Sequence, residues 1–146
     1  SLKVNGVLTS LDVGFNDLTE EAALGIVRVE RQRNKLTSLG LAGCSIGPTG
    51  AAEIAEYVSG SGVLTNLDLG YNEIRDEGAA AIAEALQGNG VLTALNLNDN
   101  RIGIEGAKAL AAALRVNRVL KNINLRYNSL GDEGMIRDAV SGPAGC

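Results

Sequence analysis

Side chains that commonly carry out catalysis are scarce in this sequence. Histidine, the commonest general base and metal ligand, does not occur among the 146 residues. Cys44 therefore has no imidazole that could generate its thiolate, and we interpret it as a buried structural thiol. Asp12 and Asp68 offer a pair of carboxylates, but nothing in the sequence implies a substrate cleft between them. The sequence predicts a protein that is not an enzyme and that holds no metal and no cofactor.

Aromatic side chains point instead to binding. The chain has three tyrosines, one phenylalanine and no tryptophan. Three of these four residues, Phe15, Tyr71 and Tyr127, recur at a multiple of 28 residues. Aromatic rings give a large contact area at a low entropic cost, and tyrosine adds a polar group at the end of the ring. A fold that brings these positions together would place them on one candidate binding surface.

A 28-residue repeat supplies such a fold. Segments like Leu64-Thr-Asn-Leu-Asp-Leu-Gly-Tyr-Asn72 recur five times without an insertion. Within each copy, apolar residues first alternate with polar ones, as in a short strand, and then follow at helical spacing. The five repeats start near Leu8, Leu36, Leu64, Leu92 and Leu120. Because strands pack more closely than helices do, a stack of such units curves, with the strands on the inside.

The pattern L-x-x-L-x-L-x-x-N/C-x-L is the leucine-rich repeat signature. With Gly-Ala-x-x-Ile/Leu-Ala-x-Ala-Leu after the strand, the chain most resembles the ribonuclease-inhibitor-like class, found also in NOD-like receptors and Ran GTPase-activating proteins. The resemblance covers about residues 2–140. It implies an α/β fold in which residues 1–146 form a single domain, a right-handed leucine-rich repeat solenoid. This short horseshoe has parallel strands on its concave face and helices on its convex face.

The concave face of a solenoid is its usual partner surface, so we expect a non-catalytic protein-protein interaction scaffold. Outward-facing residues form four columns there, and the fourth, called here the rim column, contains Phe15, Gly43, Tyr71, Asp99 and Tyr127. The third and fourth columns become more polar towards the C-terminal half. The predicted partner-binding residues are Asp68, Tyr71, Asn96, Asn98, Asp99, Asn124, Arg126 and Tyr127. For Tyr71 and Tyr127 the sequence leaves binding and packing open, whereas for Phe15 it favours packing.

Two further columns carry structural predictions. The asparagines at the ninth position of the repeat, Asn16, Asn72, Asn100 and Asn128, are expected to satisfy backbone groups of a buried turn. Glu30 falls in a column otherwise filled by Val58, Leu86 and Leu114. Because a buried, unpaired carboxylate is costly, we expect the first helix to end early or to shift its register. The nearby cations Arg28, Arg31, Arg33 and Lys35 are interpreted as a solvated helix end.

Composition and the chain ends limit the partner classes. A net charge of -4 argues against nucleic acid, and the absence of a long apolar run argues against a membrane. Two cysteines and no Asn-x-Ser/Thr site favour a cytoplasmic location.

Residues 141–146 are expected to form a disordered tail. Since no polar cap is evident, two interpretations stay open: a fragment of a longer repeat array, or a short repeat protein that forms a homodimer through its open ends or through edge strands at 8–13 and 120–125. The alternatives are a regulatory subunit resembling Ran GTPase-activating proteins, or a purely structural self-associating segment.

Overall fold

The first four repeats each fold into a three-residue strand followed by a helix, as the sequence predicts, and the described part of the fifth repeat contains its strand. The computed structural model describes residues 8–129. The strands are β1 (Ser10–Asp12), β2 (Ser38–Gly40), β3 (Asn66–Asp68), β4 (Ala94–Asn96) and β5 (Asn122–Asn124). The helices are α1 (Glu20–Arg33), α2 (Pro48–Gly60), α3 (Arg75–Gly88) and α4 (Ile104–Val116). The predicted disordered tail at 141–146 lies outside the described residues.

The five strands form one parallel sheet in chain order. Neighbouring strands pair with a register of one repeat, so that Leu39 aligns with both Leu11 and Leu67. Hydrogen bonding continues beyond the strands, since the amide of Leu69 donates to the carbonyl of Asn96 at 2.8 Å. The sheet therefore holds the following turns in the same register as the strands.

One continuous core lies between the sheet and the helices. Inward leucines such as Leu39 and Leu67 are 1% exposed, and they pack towards helical residues such as Ile54 and Ile82. A β-carbon at Gly78 would lie 2.9 Å from the β-carbon of Ala51 in the preceding helix. The small residue at the start of α3 thus permits the close packing expected between repeats.

Helix α1 does not end early, so the prediction for Glu30 was wrong. The helix continues to Arg33, and Glu30 is fully buried in the column of Val58. Nη1 of Arg33 donates to both carboxylate oxygens of Glu30 at 2.7 Å, and Nη2 donates to the carbonyl of Leu8 at 2.6 Å. An ion pair within the helix therefore compensates the buried charge of Glu30. The helix keeps its register.

The other arginines of α1 bind carboxylates of the next helix. Arg28 pairs with Glu53 of α2 at 2.7 Å, and Arg31 pairs with Glu56 of α2 at 3.3 Å. Arg28 also pairs with Glu21 of its own helix at 2.8 Å. The hydrogen bonds from Arg28 also lower the pKa of Glu53. These contacts agree with a structural interpretation of the basic segment, in place of an anion-binding one.

Candidate functional site

A ladder of asparagine side chains supports the turns beneath the rim column. Oδ1 of Asn72 accepts hydrogen bonds from the amides of Cys44 at 2.9 Å and Ile46 at 3.0 Å. Its Nδ2 donates to the carbonyl of Leu41 in the same preceding repeat at 3.1 Å. Asn128 makes the corresponding bonds to the fourth repeat. The structural prediction is confirmed for Asn72, Asn100 and Asn128, whereas Asn16 is exposed and donates only to carbonyls of its own turn. The ladder fixes the backbone from which the rim residues project.

Cys44 replaces asparagine in the second repeat and is fully buried. Its Sγ lies 3.6 Å from the carbonyl oxygen of Ala42. Burial raises the pKa of the Cys44 thiol, and the carboxylate of Asp12 raises it further. The thiol is therefore kept in its protonated form, which supports a structural role and opposes a nucleophilic one.

Residues of the second concave column end the strands. Oδ1 of Asp68 accepts a hydrogen bond from the amide of Gly70 at 3.0 Å, two residues along the chain. Asn96 and Asn124 make the same bond, at 3.0 and 2.9 Å respectively. Sequence reasoning assigned these three half-buried residues to a partner surface and missed this turn-forming task. An Asp or Asn two residues before a turn amide was the available signal.

The rim column has an unusual backbone conformation. All five residues, Phe15, Gly43, Tyr71, Asp99 and Tyr127, have φ between 54 and 63°. This left-handed region suits glycine, asparagine and aspartate, and it costs a bulky residue about 1–2 kcal/mol. The sequence nevertheless places aromatic rings at three of the five positions. This conformation was not predicted, although Gly43 and Asp99 in the same column were a signal for it.

The aromatic rings of the rim column are exposed to solvent. The exposed fractions are 66% for Phe15, 49% for Tyr71 and 75% for Tyr127. Phe15 also packs as expected, because its ring contacts that of Tyr71 edge-on with centroids 5.3 Å apart. The ring of Phe15 lies over Gly43, where a β-carbon would be 2.6 Å from Cδ1 of Phe15. Tyr127 makes no ring contact within the described part of the chain.

The remaining predicted site residues differ in accessibility. Asp99 and Arg126 are exposed, whereas Asn98 is 6% exposed and lies over Gly70. Oδ1 of Asn98 is buried without a hydrogen-bond partner. Asn98 thus offers a partner the least surface of the eight predicted residues. The accessible part of the candidate site is formed by Tyr71, Asp99, Arg126 and Tyr127, with the three half-buried residues of the second column beside them.

A second ladder, which sequence reasoning missed, ties the helix ends together. Asn89 and Asn117 each accept bonds from two amides that follow them, at 2.7–2.8 Å. Their Nδ2 groups donate to the carbonyls of Val58 and Leu86 in the preceding helices. Ser61 makes the local bonds of this column at 3.0 and 3.3 Å. A polar residue every 28 positions was the signal in the sequence.

Other kinds of site find little support in the structure. Among residues 8–129, no group of three or more cysteine, aspartate or glutamate side chains is placed to hold a metal ion. In the same range, no helix combines the length and the apolar character needed to cross a membrane. The accessible polar and aromatic rim is therefore the candidate site that we develop below.

Comparison with known proteins decides the family. The family model described as Leucine Rich repeat matches residues 4–27, 33–55, 63–83, 88–111 and 116–137. The chain belongs to the leucine-rich repeat family. This confirms the repeat assignment from the sequence, whereas membership of the ribonuclease-inhibitor-like class stays a prediction. No curated protein sequence matches this leucine-rich repeat chain significantly.

Solved structures confirm the leucine-rich repeat fold. Leiomodin-1 Actin-Binding Site 2 is similar with a TM-score of 0.86 and 23% identity, over 97% of this chain and 82% of that one. The tropomodulin C-terminal domain of Caenorhabditis elegans is similar with a TM-score of 0.80 and 14% identity, over 92% of this chain and 81% of that one. At these identities the similarity establishes the solenoid architecture.

Proposed function

We propose that this leucine-rich repeat chain is a non-catalytic scaffold that binds a protein through its rim column and the C-terminal half of its concave face. The observation that carries the proposal is the exposure of three aromatic rings on a left-handed backbone along one edge. The left-handed backbone costs the isolated chain free energy at Tyr71 and Tyr127, and the exposed parts of these rings gain nothing from burial there. A partner that buries the rings would offset both costs.

The surroundings of the rings fit a protein interface. Aromatic anchors and arginine are enriched at the centres of such interfaces, and polar groups surround them. Here Tyr71 and Tyr127 supply the anchors, and Arg126 supplies an exposed guanidinium next to Tyr127. Half-buried Asn96 and Asn124 lie beside them with their side chains held in place by turn hydrogen bonds. Such fixed groups lose little conformational entropy when a partner binds.

Actin is the first partner that we propose to test. The similar leiomodin-1 structure is titled an actin-binding site, and this chain matches 82% of its length. Actin is also present in the cytoplasm, the location that we predict for this chain. The similarity supports the choice of actin as a probe, while the rim column supports the more general proposal of a protein partner.

A capture experiment tests the proposal. The 146-residue chain is immobilised and incubated with purified actin and, separately, with a cell lysate. We expect the double variant Tyr71→Ala/Tyr127→Ala to capture the partner at least tenfold less well, because anchor residues each contribute about 2 kcal/mol. The matched control is Gln87→Ala/Val116→Ala, which truncates two exposed residues at the ends of α3 and α4.

The outcomes separate the partner from the surface. Loss of capture in the rim variant, with capture retained by the control, supports the proposal. Equal capture by wild type and the rim variant contradicts it and moves the binding surface elsewhere. If actin fails to bind while a lysate protein binds through the rim, the scaffold function stands and actin is excluded as its partner.

Self-association is the alternative that the sheet favours. Strands β1 and β5 are the two edges of the sheet within residues 8–129, and an edge strand can pair with another chain. Light scattering across a concentration series, with reductant present, would show a mass near twice 15.1 kDa if these edges pair. A monomer at all concentrations would contradict this alternative. Stimulation of Ran GTP hydrolysis also stays a prediction, and a hydrolysis assay with the purified chain tests it.

A further inference from the structure

The rim column contains one carboxylate between two tyrosines. Tyr71, Asp99 and Tyr127 occupy the same position in three consecutive repeats, with φ of 57, 54 and 60°. The amide of Tyr71 donates to the carbonyl of Asn98 at 2.8 Å, and that of Asp99 donates to the carbonyl of Arg126 at 2.9 Å. These bonds keep the turns at the spacing of the sheet, so the backbones of the two tyrosines lie about 9–10 Å apart.

In the N-terminal half of the rim column, the residue between the two aromatic rings is a glycine. Phe15 and Tyr71 are also two repeats apart, with Gly43 between them. Their rings close over the glycine to a centroid distance of 5.3 Å. Across Asp99, in contrast, the rings of Tyr71 and Tyr127 make no contact with each other in the described part of the chain.

Asp99 has no cation of its own in the described part of the chain. Its side chain is exposed and forms no ion pair or hydrogen bond among residues 8–129. Arg101, two residues along, lies 3.8 Å from the carboxylate of Glu73 instead. Tyr71 and Tyr127 flank Asp99 in the neighbouring repeats with exposed rings, and such rings attract cations within roughly 6 Å of their centroids. The two exposed rings and the free charge of Asp99 therefore both fit a positively charged group.

We propose that Tyr71, Asp99 and Tyr127, called here the rim slot, bind a lysine or arginine side chain of the protein partner. The inference rests on the proposed function and specifies the chemistry of its ligand. The two rings attract the cation through their faces, and Asp99 supplies the opposite charge. Arg126 directly precedes Tyr127 and is exposed. Because a positive charge in this part of the rim disfavours additional cations on a partner, we expect a partner segment with one cation flanked by neutral or acidic residues.

Peptide titrations followed by NMR test the slot directly. The full chain is titrated with acetyl-Ala-Ser-Lys-Ser-Ala-amide, with the arginine analogue, and with an analogue that has norleucine in place of lysine. We expect saturating shifts of the amide signals of Tyr71, Asp99 and Tyr127 with the two cationic peptides, and none with norleucine at equal concentration. Shifts that are absent with lysine, or equal with norleucine, would overturn the proposal.

Matched variants assign the effect to the individual groups. Asp99→Asn keeps the shape of the side chain and suits the left-handed backbone, and it should weaken binding of the lysine peptide about threefold to fivefold. Tyr127→Leu keeps an apolar side chain without a π face and should weaken binding about twofold to fivefold. Asp17→Asn removes the same charge from an exposed left-handed site in the first repeat and should leave binding unchanged.

The capture experiment distinguishes failure of the slot from failure of the proposed function. Capture that is lost in Tyr71→Ala/Tyr127→Ala but unchanged in Asp99→Asn would overturn the cation proposal and leave the rim as a binding surface. Capture that is unchanged in both variants would overturn the slot and the proposed function together. Capture that falls in both variants and not in Asp17→Asn supports the slot.

Discussion

Arg33→Asn should destabilise the N-terminal repeats, because it leaves the carboxylate of Glu30 buried without its cation. The side chains of Glu30 and Arg33 are 0% and 10% exposed. Asparagine is the residue at the equivalent positions Asn89 and Asn117, where it follows the last helical residue and accepts two amide hydrogen bonds. Arg33 still lies in α1, which is capped one residue later by Asn34, so the double variant described below is needed to separate the cost of the buried charge from that of the helix end.

The size of the effect follows from the burial of the pair. Removing one partner of a buried ion pair costs about 3–5 kcal/mol of the free energy of unfolding, whereas replacing both partners with apolar or matching residues is often neutral or stabilising. The double variant Glu30→Leu/Arg33→Asn recreates the combination present in the third repeat as Leu86 and Asn89. It should recover at least about 3 kcal/mol relative to Arg33→Asn alone.

Urea unfolding followed by circular dichroism measures these differences. With a denaturant slope of about 2 kcal/mol per molar, Arg33→Asn should lower the midpoint by roughly 1.5–2.5 M, and the double variant should lie near the wild type. Hydrogen exchange of the α1 amides gives a second readout, since repeat arrays can unfold in stages. A loss below about 1 kcal/mol for Arg33→Asn, or simple additivity of the two single variants, would refute the reasoning.

Three further predictions follow from buried or constrained groups. Burial raises the pKa of Tyr57 to about 12, with the charge of a nearby glutamate adding to the effect, so stability should be complete below pH 10 and decline as the pH rises towards 12. Tyr57→Phe should abolish that decline in pH-dependent melting and cost nothing at neutral pH, because the hydroxyl is buried without a partner. Gly43→Ala should lower stability by about 1–2 kcal/mol through its φ of 63°, while Gly62→Ala, with open space around it, should change the urea midpoint little. Asn72→Ala should lower the free energy of unfolding by about 3–5 kcal/mol, since it leaves several buried backbone groups without hydrogen bonds. Asn16→Ala, at an exposed site, should lower it by less than about 1 kcal/mol in the same assay. Equal losses for the two variants would contradict the role assigned to the ladder.

The architecture was predictable because the same physical requirement appears in every repeat. Inward leucines such as Leu39, Leu67 and Leu95 recur at one position, so each copy gives independent evidence that the position is buried. The same holds for Asn72 and Asn100, whose side chains must satisfy equivalent turn amides. A pattern repeated in phase therefore defines the strand, the helix and the ladder more firmly than any single segment does.

Features that occur once were harder to predict. Glu30 departs from the apolar residues of its column, and its charge is paired by Arg33, three residues along the chain. Arg33 itself departs from a second column, in which the other repeats have serine or asparagine. The left-handed turn at Tyr71 was hidden because a bulky residue conceals the backbone conformation that glycine would reveal. Which rings would remain exposed also depended on contacts between non-adjacent repeats, such as that of Phe15 with Tyr71.

The asparagine ladder gives the chain a polarity that matters during synthesis. Asn72 and Asn100 each reach back to backbone groups of the repeat before them, and Asn117 does so at the helix ends. A repeat that has just left the ribosome therefore exposes turn groups that only the next repeat can satisfy. In a growing chain, the turn of the most recently synthesised repeat should therefore stay unprotected until one further 28-residue repeat has been added. Loss of a repeat from the C-terminal side would reopen the turn before it, whereas loss from the N-terminal side would leave the following turn with its own partner.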